Sequence, residues 1–125
     1  MREILFRGKR RGGVDAGKWI EGYLMFYPGV NRAFFSTGEF NERQFYEVQK
    51  DTVGQYIGMT DKNGKRIFEG DVVKMFYKDG FCEIGPVMWS DIGARYKFAS
   101  PDGAAYNIDC TCVMEIVGNI HDNPF

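Results

Sequence analysis

The sequence predicts a mainly β protein in which the C-terminal half curls into a small barrel and the N-terminal part adds a sheet. Glycine and aromatic residues are abundant, with 16 Gly, 11 Phe, 7 Tyr and 2 Trp in 125 residues. That composition favours strands and turns over helices. From Ile67 onward, about five short strand-like segments recur at the 8–12-residue spacing of small barrels and sandwiches. Asn63-Gly64 and Asp79-Gly80 supply the two-residue turns that hairpins need.

Residues 1–52 are interpreted as an N-terminal β region. Strands are predicted at residues 3–7, 19–27, 33–36 and 45–48. The segment 8–13, rich in Gly, Lys and Arg, is interpreted as a flexible basic loop, and Pro28-Gly29 turns the chain again. Both faces of the strand 19–27 are apolar, which indicates a strand that is sandwiched or lies at an interface.

Residues 53–125 are interpreted as a hairpin followed by an SH3-like β-barrel. The hairpin joins the apolar run Tyr56–Met59 to the run Ile67–Tyr77, and Asn63-Gly64 suits the positive φ of its turn. Further strands are predicted at residues 81–89, 96–98, 105–109 and 113–120. No Ser/Pro-rich linker separates the two parts, so we expect one compact unit.

Several classes of protein are disfavoured by composition. No apolar run approaches the roughly 20 residues of a membrane helix, and the N-terminus lacks an apolar signal core, so we expect cytoplasmic residence and no membrane partner. The three cysteines, Cys82, Cys110 and Cys112, form an odd set that indicates free thiols. With one histidine in the chain, a zinc site lacks ligands at the usual spacings. We expect neither a metal nor a cofactor.

Charge is unevenly distributed although the net charge is −1. Residues 1–32 carry a net charge of +4, and residues 98–125 carry a net charge of −4. Opposite ends of this kind attract each other within a chain or between copies. Together with the apolar strand 19–27, this indicates a homo-oligomer.

Two motifs resemble the YopX family of phage and prophage proteins. The first runs from Val53 to Val73, and the second comprises residues 115–120 followed by Asn123-Pro124. The positions that carry the resemblance are Gly54, Gln55, Tyr56, Gly58, Asp61, Asn63, Gly64, Glu69, Gly70, Asp71, Gly118, Asn119, Asn123 and Pro124. The resemblance implies a mostly-β protein encoded in phage or prophage genes, with no established activity and no catalytic residues to carry over.

The pair Glu69 and Asp71 has two interpretations. The two carboxylates could hold a cation or act as an acid/base pair. Alternatively, Gly70 makes a bulge and Asp71 accepts hydrogen bonds from nearby backbone amides. We favour the second, because no histidine or third carboxylate stands at motif spacing. No nucleophile motif, P-loop or dinucleotide fingerprint is present, and we expect no enzymatic activity.

Two basic turns are candidates for phosphate contact, since clustered cations gain affinity by releasing counterions. Their residues are Arg7, Lys9, Arg10 and Arg11 in the first and Lys62, Lys65 and Arg66 in the second. The alternative is that both are solvated turns. We therefore expect a non-enzymatic accessory protein of a bacterial phage or prophage that associates with itself or with a phage or host protein. Nucleic-acid binding through the basic turns is the alternative function.

Overall fold

The computed structural model describes residues 3–26, 29–37, 44–109 and 111–122. Within these ranges the chain forms eleven β-strands and a single short 3-10 helix, which confirms the mainly β prediction. The strands form two antiparallel sheets, and neither closes into a barrel, so the predicted SH3-like barrel is not confirmed. None of the helical structure in the described ranges is long and apolar enough to cross a membrane.

The chain divides into two compact units, unit 1 (Met1–Tyr56) and unit 2 (Ile57–Phe125). The elements of unit 1 are β1 (Phe6–Lys9), β2 (Trp19–Phe26), β3 (Ala33–Thr37), β4 (Gln44–Val48), the 3-10 helix (Lys50–Thr52) and the start of β5 (Gly54–Thr60). Their order across the sheet is β4-β3-β2-β1-β5. Each consecutive pair from β1 to β4 is a simple antiparallel neighbour, which is the meander that short connections favour.

Unit 1 buries a small core on one face of its sheet. Ala33, Phe35 and Val48 are 0–1% exposed, and four partly buried apolar residues pack around them, Phe6, Ile20, Leu24 and Val53. Gly22 lies directly beside β3, where a Cβ would come within 2.8 Å of the Ser36 carbonyl oxygen. Glycine at this position therefore allows the strands to approach closely over Phe35.

In unit 1, the residues that follow β1 contact the last residues of β4. Arg10 forms an isolated antiparallel bridge with Val48, and the backbone amide of Arg11 donates to the Glu47 carbonyl at 2.9 Å. The interpretation of residues 8–13 as a flexible loop is wrong at its start, since Gly8 and Lys9 belong to β1. Register explains the difference, because Lys9 pairs with Trp19 and extends the ladder beyond the predicted end.

Unit 2 contains the end of β5 and six further strands. They are β6 (Arg66–Phe68), β7 (Asp71–Phe76), β8 (Cys82–Ser90), β9 (Arg95–Ala99), β10 (Ala105–Asn107) and β11 (Val113–Asn119). The last five form a sheet in the order β10-β9-β8-β7-β11, with a register shift between Ile116 and Gly118. The predicted strands 81–89 and 113–120 are thus found within one residue of their predicted bounds.

The core of unit 2 is larger than that of unit 1. Its buried members are Ile57, Ile67, Val73, Met75, Val87, Phe98 and Met114. Gly85 lets β8 lie against β9, because a Cβ there would overlap the carbonyl oxygen of Ala99. The inner residues of the hairpin and of four sheet strands therefore share one cluster, and the opposite face of the sheet lies outside it.

Candidate functional site

Asp61, at the hairpin turn of unit 2, is buried and accepts three backbone hydrogen bonds. Its Oδ1 accepts from the amides of Asn63 at 2.9 Å and Lys65 at 3.0 Å, and its Oδ2 accepts from the amide of Ile116 at 3.1 Å. Burial alone would raise the pKa of Asp61, but the three amide donors outweigh it and hold the pKa below its ordinary value. The carboxylate therefore joins the first family-like motif to β11.

The same turn covers the open edge of β11. The amide of Lys62 donates to the Met114 carbonyl at 2.8 Å, and the Lys62 ammonium lies 3.2 Å from the Glu115 carboxylate. Asp61 also accepts a hydrogen bond from the Ile116 amide. Met114, Glu115 and Ile116 of β11 therefore each have a partner in the hairpin. An edge strand capped in this way is poorly suited to pair with a strand of another molecule.

Asp71 is the second buried carboxylate of unit 2. Its Oδ2 accepts from the Phe68 amide at 2.8 Å, and its Oδ1 accepts from the Asn119 side-chain amide at 3.2 Å. Asn119 in turn accepts from the His121 amide at 2.9 Å. Asp71 and Asn119 therefore link the first and second motifs at the end of β11, as Asp61 and Ile116 do at its middle.

Glu69 and Asp71 do not converge on a common point of hydrogen bonding. Glu69 accepts from the Trp89 amide at 3.2 Å, whereas Asp71 binds Phe68 and Asn119. Gly70 lies between them with φ of +92°, a conformation that strongly favours glycine. Across the described ranges, no group of three or more His, Cys, Asp or Glu side chains could hold a metal ion.

The other motif positions lie along β5 and its turn. Gly54 pairs with Arg7 and Gln55 with Phe6, while the amide of Tyr56 donates to the Leu5 carbonyl at 2.8 Å. Gly58 and Gly64 have φ of +91° and +82°, and Gly118 follows the register shift of β11. Cys110, Asn123 and Pro124 lie outside the described residues.

The first basic set gathers on unit 1, where aromatic rings hold its cations. The Arg7 guanidinium lies 4.6 Å and the Lys9 ammonium 5.3 Å from the ring centre of Trp19. Arg10 lies over the Tyr46 ring at 4.3 Å and pairs with Asp15 at 2.9 Å. Cations over aromatic faces are attracted by the ring quadrupole, so these side chains are oriented rather than freely extended.

Arg11 is the most exposed cation of this set. Its side chain is 65% exposed, and its guanidinium lies 3.6 Å from Glu47. The same carboxylate binds Arg32 at 2.6 Å, and the hydrogen bond from Arg32 is the main cause that lowers the pKa of Glu47. Glu47 therefore stays ionised between two guanidinium groups.

The second basic set belongs to the hairpin of unit 2. Lys62 pairs with Glu115 and lies 5.0 Å from the Phe76 ring centre, while the backbone of Lys65 is bound to Asp61. Arg66 begins β6 and is exposed. The structure thus assigns the two predicted sets to different units, four cations to unit 1 and three to unit 2.

The outer face of the unit 2 sheet carries apolar side chains that sequence reasoning missed. Val113 is 50% exposed, Ile84 44% and Met88 38%. The register aligns Val113, Phe76 and Cys82 in one row across β11, β7 and β8, and aligns Glu115, Lys74 and Ile84 in the next row on the same face. We call this set the unit 2 outer face, and its members are Lys74, Phe76, Cys82, Ile84, Met88, Val113 and Glu115. The signal in the sequence was present, because β8 has apolar residues at both odd and even positions.

An open cleft of about 360 Å³ adjoins the unit 2 outer face. Its lining residues are Lys62, Phe76, Tyr77, Lys78, Thr111 and Val113. The Tyr77 hydroxyl is shielded from water, and burial, followed by the nearby Glu83 carboxylate, raises the pKa of Tyr77 to about 12. The phenol is therefore neutral at physiological pH and provides no base.

Comparison with known proteins identifies the family. A family model described as YopX protein matches residues 27–125, which is most of the chain. No curated protein matches the chain. The resemblance drawn from the two motifs is confirmed, and the chain belongs to the YopX family.

Proposed function

We propose that this YopX-family chain is a non-enzymatic interaction module of phage or prophage origin that self-associates in the bacterial cytoplasm. The single observation that carries the proposal is the unit 2 outer face, where Val113, Ile84 and Met88 are each more than a third exposed. Exposed apolar side chains gathered on one face of a sheet are typical of protein–protein contact sites. The engagement of Asp61, Asp71 and Glu69 with backbone amides supports the non-enzymatic part of the proposal.

A second copy of the chain fits this face because its charges are self-complementary. Lys74 and Glu115 lie directly opposite each other in the middle of the apolar residues. In a two-fold dimer the same patch meets itself, so Lys74 of one copy approaches Glu115 of the other. The capped edge of β11 disfavours association by strand addition there, so face-to-face packing is the expected mode.

Light scattering at micromolar concentrations tests self-association. We expect a particle of at least twice the monomer mass, and Ile84→Lys is expected to reduce it to the monomer by burying an unpaired charge in the contact. Ile92→Lys is the matched control, because Ile92 is 82% exposed and lies in the turn after β8 rather than on a strand of this face. A strictly monomeric wild type, or equal effects of the two variants, would contradict the proposal.

Nucleic-acid binding is a second candidate function, favoured by the cations that aromatic rings hold on unit 1. Arg7, Lys9 and Arg10 each lie within 5.3 Å of an aromatic ring centre. Such binding requires affinity that falls steeply with salt concentration, since each phosphate contact releases counterions. If neither single strands nor duplex bind at low salt, this candidate is eliminated.

A further inference from the structure

We propose that the outer face of the unit 1 sheet is a platform for single-stranded nucleic acid, with Tyr23 and Phe45 stacking on bases and Arg7 and Lys9 contacting phosphates. The proposal rests on the second candidate function, nucleic-acid binding, and names its site and ligand class. Neither aromatic residue was among the predicted contacts.

Strand register places the rings and the cations of the proposed platform on one face of the unit 1 sheet. Lys9 lies opposite Trp19, and Arg7 lies opposite Glu21. Residues directly opposite each other project from the same side, so these residues of β1 and β2 share a face. Tyr23 follows two positions after Glu21 and therefore has the same orientation. The buried Phe35 and Val48 occupy alternate positions and face the core instead. The face that carries Tyr23 is consequently the solvent side of the sheet.

Two exposed rings stand on this face, one on each side of β3. Tyr23 is 60% exposed and Phe45 55% exposed. Tyr23 pairs with Ser36, and Ser36 pairs with Phe45, so the rings belong to next-nearest strands. Two strand spacings put their backbones roughly 10 Å apart. The small Ser36 between them is 8% exposed, which leaves the two rings as the highest groups on this part of the face.

The cations lie at the other end of β2 on the same face. Arg7 and Lys9 both sit over Trp19, at 4.6 and 5.3 Å from its ring centre. Trp19 and Tyr23 are four residues apart on one strand, which corresponds to about 13 Å. A strand of nucleic acid running along β2 would therefore meet phosphate-binding groups first and stacking rings second. This combination characterises proteins that bind single strands.

The acidic groups on this face are mostly neutralised. Glu47 lies between Arg32 at 2.6 Å and Arg11 at 3.6 Å. Glu21 lies opposite Arg7 and is exposed. A phosphate near Arg7 would be repelled by Glu21, so this one carboxylate is expected to reduce affinity.

A duplex fits the face less well than a single strand. Stacked base pairs hide their flat surfaces, whereas the two rings can contact only bases that are unstacked. A second copy of the chain is the other candidate occupant of an exposed aromatic face. Its residues 98–125 carry a net charge of −4, which suits the cations of this face but not its two rings.

Fluorescence anisotropy with labelled oligo-dT of about 20 nucleotides tests the platform, since single-strand-binding folds cover roughly 4–16 nucleotides. We expect oligo-dT to bind more tightly than a duplex of equal length. Tyr23→Ala and Phe45→Ala should each weaken binding about 5- to 150-fold, the loss of one stacked base. Lys9→Gln should reduce the salt dependence by about one phosphate contact. Glu21→Gln should strengthen binding.

Matched controls come from unit 2, where Tyr106 is 42% and Phe81 65% exposed. Tyr106→Ala and Phe81→Ala should leave oligo-dT affinity unchanged. No binding by the wild type at low salt would overturn both this proposal and the second candidate function. Normal binding by Tyr23→Ala and Phe45→Ala would overturn the platform alone and leave the hairpin cations as the site. A lower particle mass in these variants, without loss of affinity, would assign the face to a second copy.

Discussion

Units 1 and 2 use their charged side chains in different ways. Unit 2 buries Asp61 and Asp71 and directs both at backbone amides, so that its hairpin, β7 and β11 are fastened together. The described part of unit 1 has a buried core of three residues, and its cations are half-buried over aromatic rings or lie in ion pairs. Buried hydrogen-bonded carboxylates stabilise the fold, whereas exposed ion pairs add little stability. Buried, hydrogen-bonded carboxylates are thus a feature of unit 2, and cations held at rings or in ion pairs are a feature of unit 1.

The largest effect is expected from the small core of unit 1. Phe35→Ala should destabilise the protein by about 3–5 kcal/mol, since Phe35 is the largest residue of a three-residue cluster and leaves a cavity. Urea denaturation measures the loss, and hydrogen exchange should show faster exchange of β2 and β3 amides than of β7 and β8 amides. Thr37→Ala, in the same strand, should cost far less. Equal acceleration in both units would remove the distinction between them.

A somewhat smaller effect is expected at the second buried carboxylate of unit 2. Asp71→Ala removes the acceptor of the Phe68 and Asn119 hydrogen bonds and should cost about 3 kcal/mol. Asp79→Ala is the matched control, because Asp79 also accepts an amide bond but lies in an exposed turn. The urea denaturation midpoints of the two variants measure their losses of stability. Similar losses for both would show that burial of Asp71 adds nothing to its hydrogen bonds.

The smallest effect is expected from pH. Because the pKa of Asp61 is lowered in the folded chain, its contribution is fully present above the ordinary aspartate pKa of 3.8 and is lost as pH falls through the lowered value. Asp61→Asn should cost about 1–2 kcal/mol at neutral pH and flatten this acid dependence. Urea denaturation from pH 7 down to about 2 measures both.

Glu47 provides the contrast in unit 1. Its pKa is also lowered, chiefly by the hydrogen bond from Arg32, but the pair is exposed. Glu47→Gln should therefore shift the urea midpoint less than Asp61→Asn, and the shift should disappear in high salt. The contrast between the two carboxylates would be wrong if Glu47→Gln lost stability to the same extent at all salt concentrations. It would also be wrong if Asp61→Asn kept the wild-type dependence of stability on pH.

The sequence predicted local structure well and tertiary closure poorly. The Asn63-Gly64 and Asp79-Gly80 turns and the apolar runs of β8 and β11 depend on neighbouring residues, and β8 and β11 are found within one residue of their predicted bounds. Barrel closure depends on which distant edges pair. The Lys62 and Asp61 contacts to β11 cap an edge that the barrel prediction would have joined to another strand. No periodicity in the sequence encodes such a contact.

The candidate surfaces were only partly predictable. Arg7 and Lys9 were selected as cations of a basic turn, but their placement on Trp19 follows from the register of β1 with β2. The exposure of Tyr23 and Phe45 depends on which face of the sheet packs on Phe35, and both faces of β2 looked equally apolar in sequence. Gly8 and Gly22 determine which face packs on Phe35, because each lies against the backbone or the side chains of β3 on the core side.

The junction of β1 with the end of β4 has a consequence for synthesis on the ribosome. The amide of Lys9 donates to the Thr52 hydroxyl at 2.9 Å across 43 residues, and the amide of Gln49 donates to the Lys9 carbonyl at 2.8 Å. At translation rates of about 5–20 residues per second, those partners emerge roughly 2–9 s after Lys9. During that interval the amide and the carbonyl of Lys9 lack these two partners, so this end of the meander is completed only after the chain through Thr52 has emerged.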